Sequence, residues 1–103
     1  MSWDARLECS HGHVASDQNY THNVNRMIRA TGVFPGWWDE LDGMTGEQAG
    51  LKLRKCCVML ATGDYDHLEP DNGWGSRKTL ALVLMEMAQA SQEHPDHRWK
   101  VSG

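Results

Sequence analysis

The chain is short of several things, and each shortage removes a class of protein. It has three cysteines in 103 residues, an odd number that includes the vicinal pair Cys56-Cys57, so no disulfide framework is expected and a reducing cytoplasm is the expected compartment. No apolar run reaches the roughly 20 residues that span a bilayer. Met1-Ser2-Trp3-Asp4 also lacks the basic and apolar regions of a signal peptide, so the product is expected to stay where it is made, with no membrane as partner. Basic excess is missing too. A formal charge of -4, with ten Lys and Arg scattered along the chain, argues against nucleic acid as the main partner and leaves only a local patch at Lys52, Arg54 and Lys55. Repeats, linkers and low-complexity tracts are absent, and the length suits one domain over residues 1–103 with a single core.

Aromatic weight is what the chain does have. The apolar fraction is 40% and five tryptophans carry much of it, which predicts a small, aromatic-rich core. Trp3, Ala5, Leu7 and Cys9 alternate with Asp4, Arg6 and Glu8, the period of a strand with one buried face. His11-Gly12 suits a turn, and residues 13–19 then return as a second strand in which Val14 is the one sizeable aliphatic side chain. Asn23 is placed to cap a short helix that buries Val24, Met27 and Ile28 and ends at Gly32. Residues 33–42 connect, broken by Pro35-Gly36 and anchored by Trp37, Trp38 and Leu41. Thr45-Gly46-Glu47-Gln48 has the form of a capping box at the start of a second helix that ends near Thr62 and Gly63, with Ala49, Leu53, Cys56, Cys57 and Leu60 on its apolar face. A loop over 64–75 follows. Ser76 caps a third helix with Leu80, Val83, Leu84 and Met87 on one face, which Pro95 closes. Arg98-Trp99-Lys100-Val101 alternates again as a terminal strand beside the first. The expected fold is α+β: a small antiparallel sheet, made of an N-terminal hairpin and a C-terminal strand, covered by three helices.

Two dense polar stretches are the natural places to look for a site. One is Asn19-Tyr20-Thr21-His22-Asn23-Val24-Asn25 and the other is Asp71-Asn72-Gly73-Trp74-Gly75-Ser76. Each leads into a helix, whose first amides are unsatisfied donors. If the two helix starts meet, Tyr20, His22, Asn25, Asn72 and Trp74 would surround a small anionic or nucleotide-like ligand, with Trp74 as a stacking wall. Helix capping alone accounts for Asn23 and Ser76, which need no ligand to explain them.

A metal is the sharpest chemical alternative. Cys9, His11 and His13 fall at alternating positions, and His22 would complete a tetrahedral zinc set if the hairpin brought it back. The spacing is not that of a zinc finger or ribbon, Gly12 breaks the extended run, and Cys9 serves equally as the last apolar residue of its strand. With that exception no cofactor is expected. Cys56 and Cys57 sit on an apolar face, a poor setting for a nucleophilic thiolate. Asp64, Asp66, His67 and Glu69 lack the calcium-loop pattern. Phe34, Trp37, Trp38 and Arg77 have the composition of an interface hot spot if exposed, for a protein partner or for a homodimer.

Ser2-Trp3-Asp4, Asn19-Tyr20-Thr21-His22-Asn23, Met27, Leu41-Asp42-Gly43-Met44, Pro70-Asp71-Asn72-Gly73-Trp74-Gly75 and Trp99-Lys100-Val101-Ser102-Gly103 together resemble a family of small proteins, without an assigned activity, of actinobacteria and their phages. The resemblance implies a bacterial or phage origin and a free-standing cytoplasmic product, in the host cytoplasm if phage-encoded, and assigns no catalytic residue. The expectation is therefore a binding or interaction protein, not an enzyme, acting as an accessory factor on a host component. The alternatives are the ligand site around Tyr20, His22 and Trp74, and zinc on Cys9, His11, His13 and His22.

Overall fold

The computed structural model describes residues 2–70 and 75–103. Its strands are β1 (Ser2–Glu8), β2 (Val14–Thr21) and β3 (Arg98–Ser102), and its helices are α1 (Asn25–Ala30), α2 (Trp38–Leu41), α3 (Gly46–Thr62) and α4 (Arg77–Glu93). Single 3-10 turns occupy His22–Val24 and Asp66–Leu68. The sheet is antiparallel in the order β2-β1-β3, the α+β arrangement expected from the patterning.

The alternation of β1 sets the layers. Trp3, Ala5 and Leu7 are fully buried beneath the helices, while Asp4 and Arg6 face outward. The outer face of the sheet is held by polar pairs: Asn19 Nδ2 donates to Asp4 Oδ1 at 2.8 Å, Arg6 meets Asp17 at 3.6 Å, and Lys100 meets Glu8 at 3.5 Å. β2 runs two residues further than expected, to Thr21, and its Val14 is exposed. An edge strand with polar residues on both faces carries little hydrophobic signal, so its end could not be read from pattern. β3 is covered along its outer edge by the segment after α2. Gly43 N donates to Trp99 O at 2.9 Å, Trp99 N to Met44 O at 2.9 Å, and Val101 N to Asp42 Oδ1 at 2.9 Å.

α3 and α4 form an antiparallel hairpin over the sheet. The capping box at Thr45 is complete, with Gln48 N donating to Thr45 Oγ1 at 3.2 Å and Thr45 N to Gln48 Oε1 at 3.0 Å. Ser76 caps α4 by accepting from Thr79 N at 3.2 Å. The expected inner faces hold in the main, with Ala49, Leu53, Cys56, Cys57, Leu60, Leu80, Leu84 and Met87 all buried, but Val83 lies at the edge of its face and is only partly buried. Gly46 lies against the α4 C-terminus, where a Cβ would meet the carbonyl oxygens of Ser91 and His94.

Two local expectations change. Thr21, not Asn23, supplies the cap after β2: its hydroxyl accepts from Asn23 N at 3.2 Å, and α1, which begins at Asn25 with Val24 in the N-cap position, has no side-chain cap. The connecting stretch also contains one extra helical turn, α2, which starts from Trp37 at φ 49°. Pro35-Gly36 reads as a breaker, but burial of Trp37 turns the chain there instead of leaving it open.

Candidate functional site

Tyr20 is half-buried at the end of β2, edge-on to Trp3 with ring centroids 6.3 Å apart. Its hydroxyl accepts from Ser76 N at 3.1 Å and so ties β2 to the start of α4. Arg77 N donates to Glu69 Oε1 at 2.8 Å and Thr79 N to Ser76 Oγ at 3.2 Å. Three of the first four amides of α4 thus already have protein acceptors, and α1, six residues long, has too little dipole to add an anion site. The expected pair of helix termini offering donors to an anion is not formed. Asn72 and Trp74, expected to complete that site, lie outside the described residues.

His22 and Asn25 are brought together. Asn25 is buried, and its Nδ2 lies 2.9 Å from His22 Nδ1. With the amide oriented this way Nδ1 accepts, so a neutral ring carries its proton on Nε2. That Nε2 and the Oδ1 of Asn25 are both buried without a hydrogen-bond partner among the described residues. The ring stands edge-on to Trp38 at 4.8 Å, with the Arg29 guanidinium 5.5 Å from the Trp38 ring centroid. Gly103 closes the other side of His22, so tightly that a Cβ there would sit 2.7 Å from Cε1.

The zinc set does not assemble. Glu8 pairs with Val14 at one end of the hairpin and Ser2 with Thr21 at the other, so β2 carries His22 roughly 20 Å from the Cys9 turn. At that turn Gly12 has φ 84°, and Cys9 Sγ accepts from His11 N at 3.4 Å and His13 N at 3.3 Å. The thiol thus caps the turn with backbone amides, and the alternation expected of an extended run is lost. Among the described residues no three His, Cys, Asp or Glu side chains group to hold a metal.

The aromatic interface is corrected as well. Phe34 and Trp37 are fully buried, packed on each other at 5.5 Å and, through Trp37, on Trp3 at 5.3 Å. They are core because the layer between sheet and helices needs their volume; Trp38 is only half-buried. Arg77 is a staple. Its Nε donates to Asp66 Oδ1 at 2.7 Å and its Nη1 to Leu60 O at 2.7 Å, which satisfies a carbonyl at the end of α3. The Asp66 hydrogen bond raises the pKa of Arg77 further above its ordinary value. Asp66 and Glu69, two carboxylates of the loop cluster that lacks the calcium pattern, are therefore engaged in holding Arg77.

Cys56 faces the core against Thr31 Oγ1 at 3.6 Å, and burial pushes its thiol up to about 11. Cys57 shifts the same way from burial, and its thiol donates to Ala81 O at 3.1 Å. A raised folded-state pKa means the folded protein holds the proton more tightly than the unfolded chain. The stability from Cys56 is therefore complete below pH 9 and lost as pH rises to 11. Denaturant titrations across that window should show wild type losing on the order of 2 kcal/mol more than Cys56→Ala. Parallel slopes would contradict the assignment.

The largest feature that sequence reasoning missed lies on the outer face of the hairpin. Leu51, Val58, Leu82 and Met85 are 79%, 50%, 61% and 54% exposed. Val58 and Met85 line one groove between α3 and α4, with Arg54 and Ala88, and Leu82 stands one turn before Met85. A second groove, continuous with the first through Arg54 and Ala88, is lined by Gly50, Leu51 and Ser91. The signal was available, since Leu51 and Val58 are the apolar residues of α3 that fall off its core stripe. No family model, curated protein or solved structure matches the chain.

Proposed function

We propose that the chain is a binding protein, not an enzyme, and that its partner is another protein docking on the apolar end of the α3–α4 outer face. One observation carries this reading: Val58, Leu82 and Met85 stand half or more exposed on adjacent turns of two rigid helices. Clustered apolar side chains of this size on a small domain mark contact surfaces, and methionine adapts to a partner's shape. Arg54, Lys55 and Lys78, exposed on the same two helices, supply a basic rim, which suits a partner whose apolar anchors are flanked by carboxylates. In keeping with the resemblance, the partner is a host component met in the cytoplasm. The test is affinity capture from lysate with wild type, the double variant Leu82→Glu/Met85→Glu, and His22→Ala. Wild type and His22→Ala should retain the same partner, and the double variant should lose it by about tenfold or more with its far-UV spectrum unchanged. Equal retention by the double variant would sink the reading.

A second reading is favoured by one observation of its own. Asn25 Oδ1 and His22 Nε2 present an acceptor and a donor, both buried and unpartnered among the described residues, and buried polar atoms are normally paired. A small anionic or nucleotide-like ligand reaching this corner would satisfy them. Titration with inorganic phosphate and with a nucleoside monophosphate should then move the His22 ring signals saturably in wild type and not in Asn25→Ala. Unmoved ring signals in wild type would refute it.

A further inference from the structure

Leu51 is the most exposed large apolar side chain among the described residues, 79% accessible on α3, and a depression lies directly beside it. Gly50, Ala88 and Ser91 floor that depression, and Glu47, Arg54 and Pro95 stand at its rim. The floor is low because its residues are small: a Cβ added to Gly50 would find Ser91 Cβ at 3.5 Å. A knob and a hole are thus neighbours on one surface, which is what a two-fold contact requires, since each copy must present both halves of the match.

The charges around Leu51 obey the same symmetry. Glu47 precedes it by four residues and Arg54 follows it by three, about one helical turn on either side and on the same face of α3. When two α3 helices cross antiparallel with the axis near Leu51, each Glu47 falls opposite the partner copy's Arg54. Within one chain neither side chain is in an ion pair among the described residues, where the pairs are Arg6 with Asp17, Arg77 with Asp66 and Lys100 with Glu8. Gly50, on the helix surface at the crossing, lets the two backbones approach closely.

We propose that the Leu51 face is a homodimer contact, in which Leu51 of each copy enters the Gly50, Ala88 and Ser91 depression of the other and Glu47 pairs with Arg54 across the two-fold axis. The contact shares Arg54 and Ala88 with the groove at the Val58, Leu82 and Met85 end of the hairpin, so Leu51, which does not line that groove, is the residue that tells the two surfaces apart. Dimerisation leaves both of those ends, and both polar sheet faces, outward.

Sedimentation equilibrium with the full chain tests it. Wild type should weigh twice the chain mass at about 100 µM. Leu51→Glu, at an exposed position that keeps a good helix former, should raise the dissociation constant at least about tenfold, as should Arg54→Glu, which sets two glutamates against each other. The exchange Glu47→Arg/Arg54→Glu should return to within about threefold of wild type, because each copy again offers one charge of each sign. Far-UV spectra and melting curves of the variants establish that they are folded. A monomeric wild type at that concentration, a dimer indifferent to Leu51→Glu, or an exchange variant no tighter than Arg54→Glu would overturn the proposal. A monomeric wild type that still loses its lysate partner in Leu82→Glu/Met85→Glu would overturn the dimer alone, whereas an intact dimer with no such loss would overturn the partner surface alone.

Discussion

Trp3→Ala should remove about 3–5 kcal/mol of folding stability, a large share of the roughly 5–15 kcal/mol typical of a folded domain. Trp3 is on the central strand, fully buried, and edge-on to both Tyr20 and Trp37, so its removal leaves a cavity bounded by the sheet and two aromatic rings. In urea the midpoint should fall sharply, with a slope near that of wild type if the native state is still reached. Trp3→Phe is the more discriminating variant. The Nε1 of Trp3 is buried without a partner among the described residues, a cost of about 1–3 kcal/mol that phenylalanine relieves, so this change should cost less than its lost volume suggests. Trp99 offers the contrast. Its Nε1 donates to Ser91 Oγ at 2.9 Å in the core, and Trp99→Phe strands that hydroxyl, adding a penalty where Trp3→Phe removes one. Equal losses in the two phenylalanine variants would show that the difference in hydrogen bonding is not felt.

Two glycines of one helix should respond with opposite signs. Glycine inside a helix is worse than alanine by about 1 kcal/mol, so propensity alone would make both Gly46→Ala and Gly50→Ala stabilising. At Gly46 sterics overrule it. The new Cβ would lie 2.6 Å from Ser91 O and closer still to His94 O, both backbone atoms of the α4 C-terminus that cannot swing away. Overpacking of this kind costs about 1–3 kcal/mol, and parting the helices would also strain the bonds from Gly46 N to His97 O and from Glu47 N to Pro95 O. At Gly50 the nearest atom, Ser91 Cβ, is 3.5 Å away, an ordinary contact, so Gly50→Ala should gain about 0.5–1 kcal/mol. Urea midpoints measured at low micromolar concentration, where self-association has least weight, should fall for the first and rise for the second. A stabilising Gly46→Ala would mean that the α3–α4 junction yields.

Much of the fold could be read because each piece of the signal was local. Alternation in β1, the Thr45 box, the Ser76 cap and the turn at Gly32, where φ is 75°, depend on residues within four or five positions of one another. What escaped depends on tertiary contact. α2 exists because Trp37 is driven into the core, and Thr21 takes the cap because β2 extends to it. The candidate site was less legible. His22 and Asn25 do meet, being three residues apart around a single turn, but the donors assigned to an anion are consumed by Tyr20, Glu69 and Ser76, two of them distant in sequence. Phe34 and Trp37 could not be sorted into core or surface by composition. Exposure of Leu51, Val58, Leu82 and Met85 could have been suspected from the helical wheel, but only the packed hairpin shows which side of it stays open.

The sheet order also says something about when the protein can fold as it is made. β1 is the middle strand, yet one of its neighbours is β3, a segment that leaves the ribosome only after about ninety further residues have been added. The β1–β2 hairpin and the α3–α4 pair can assemble from nearby chain, whereas the last join must close a loop almost as long as the chain itself, the kind of contact that slows folding. Until residues 98–102 emerge, β1 presents one bare edge and Trp99 is missing from the layer that buries Trp3 and Leu7. The nascent chain therefore passes through a stage in which its central strand is paired on one side only.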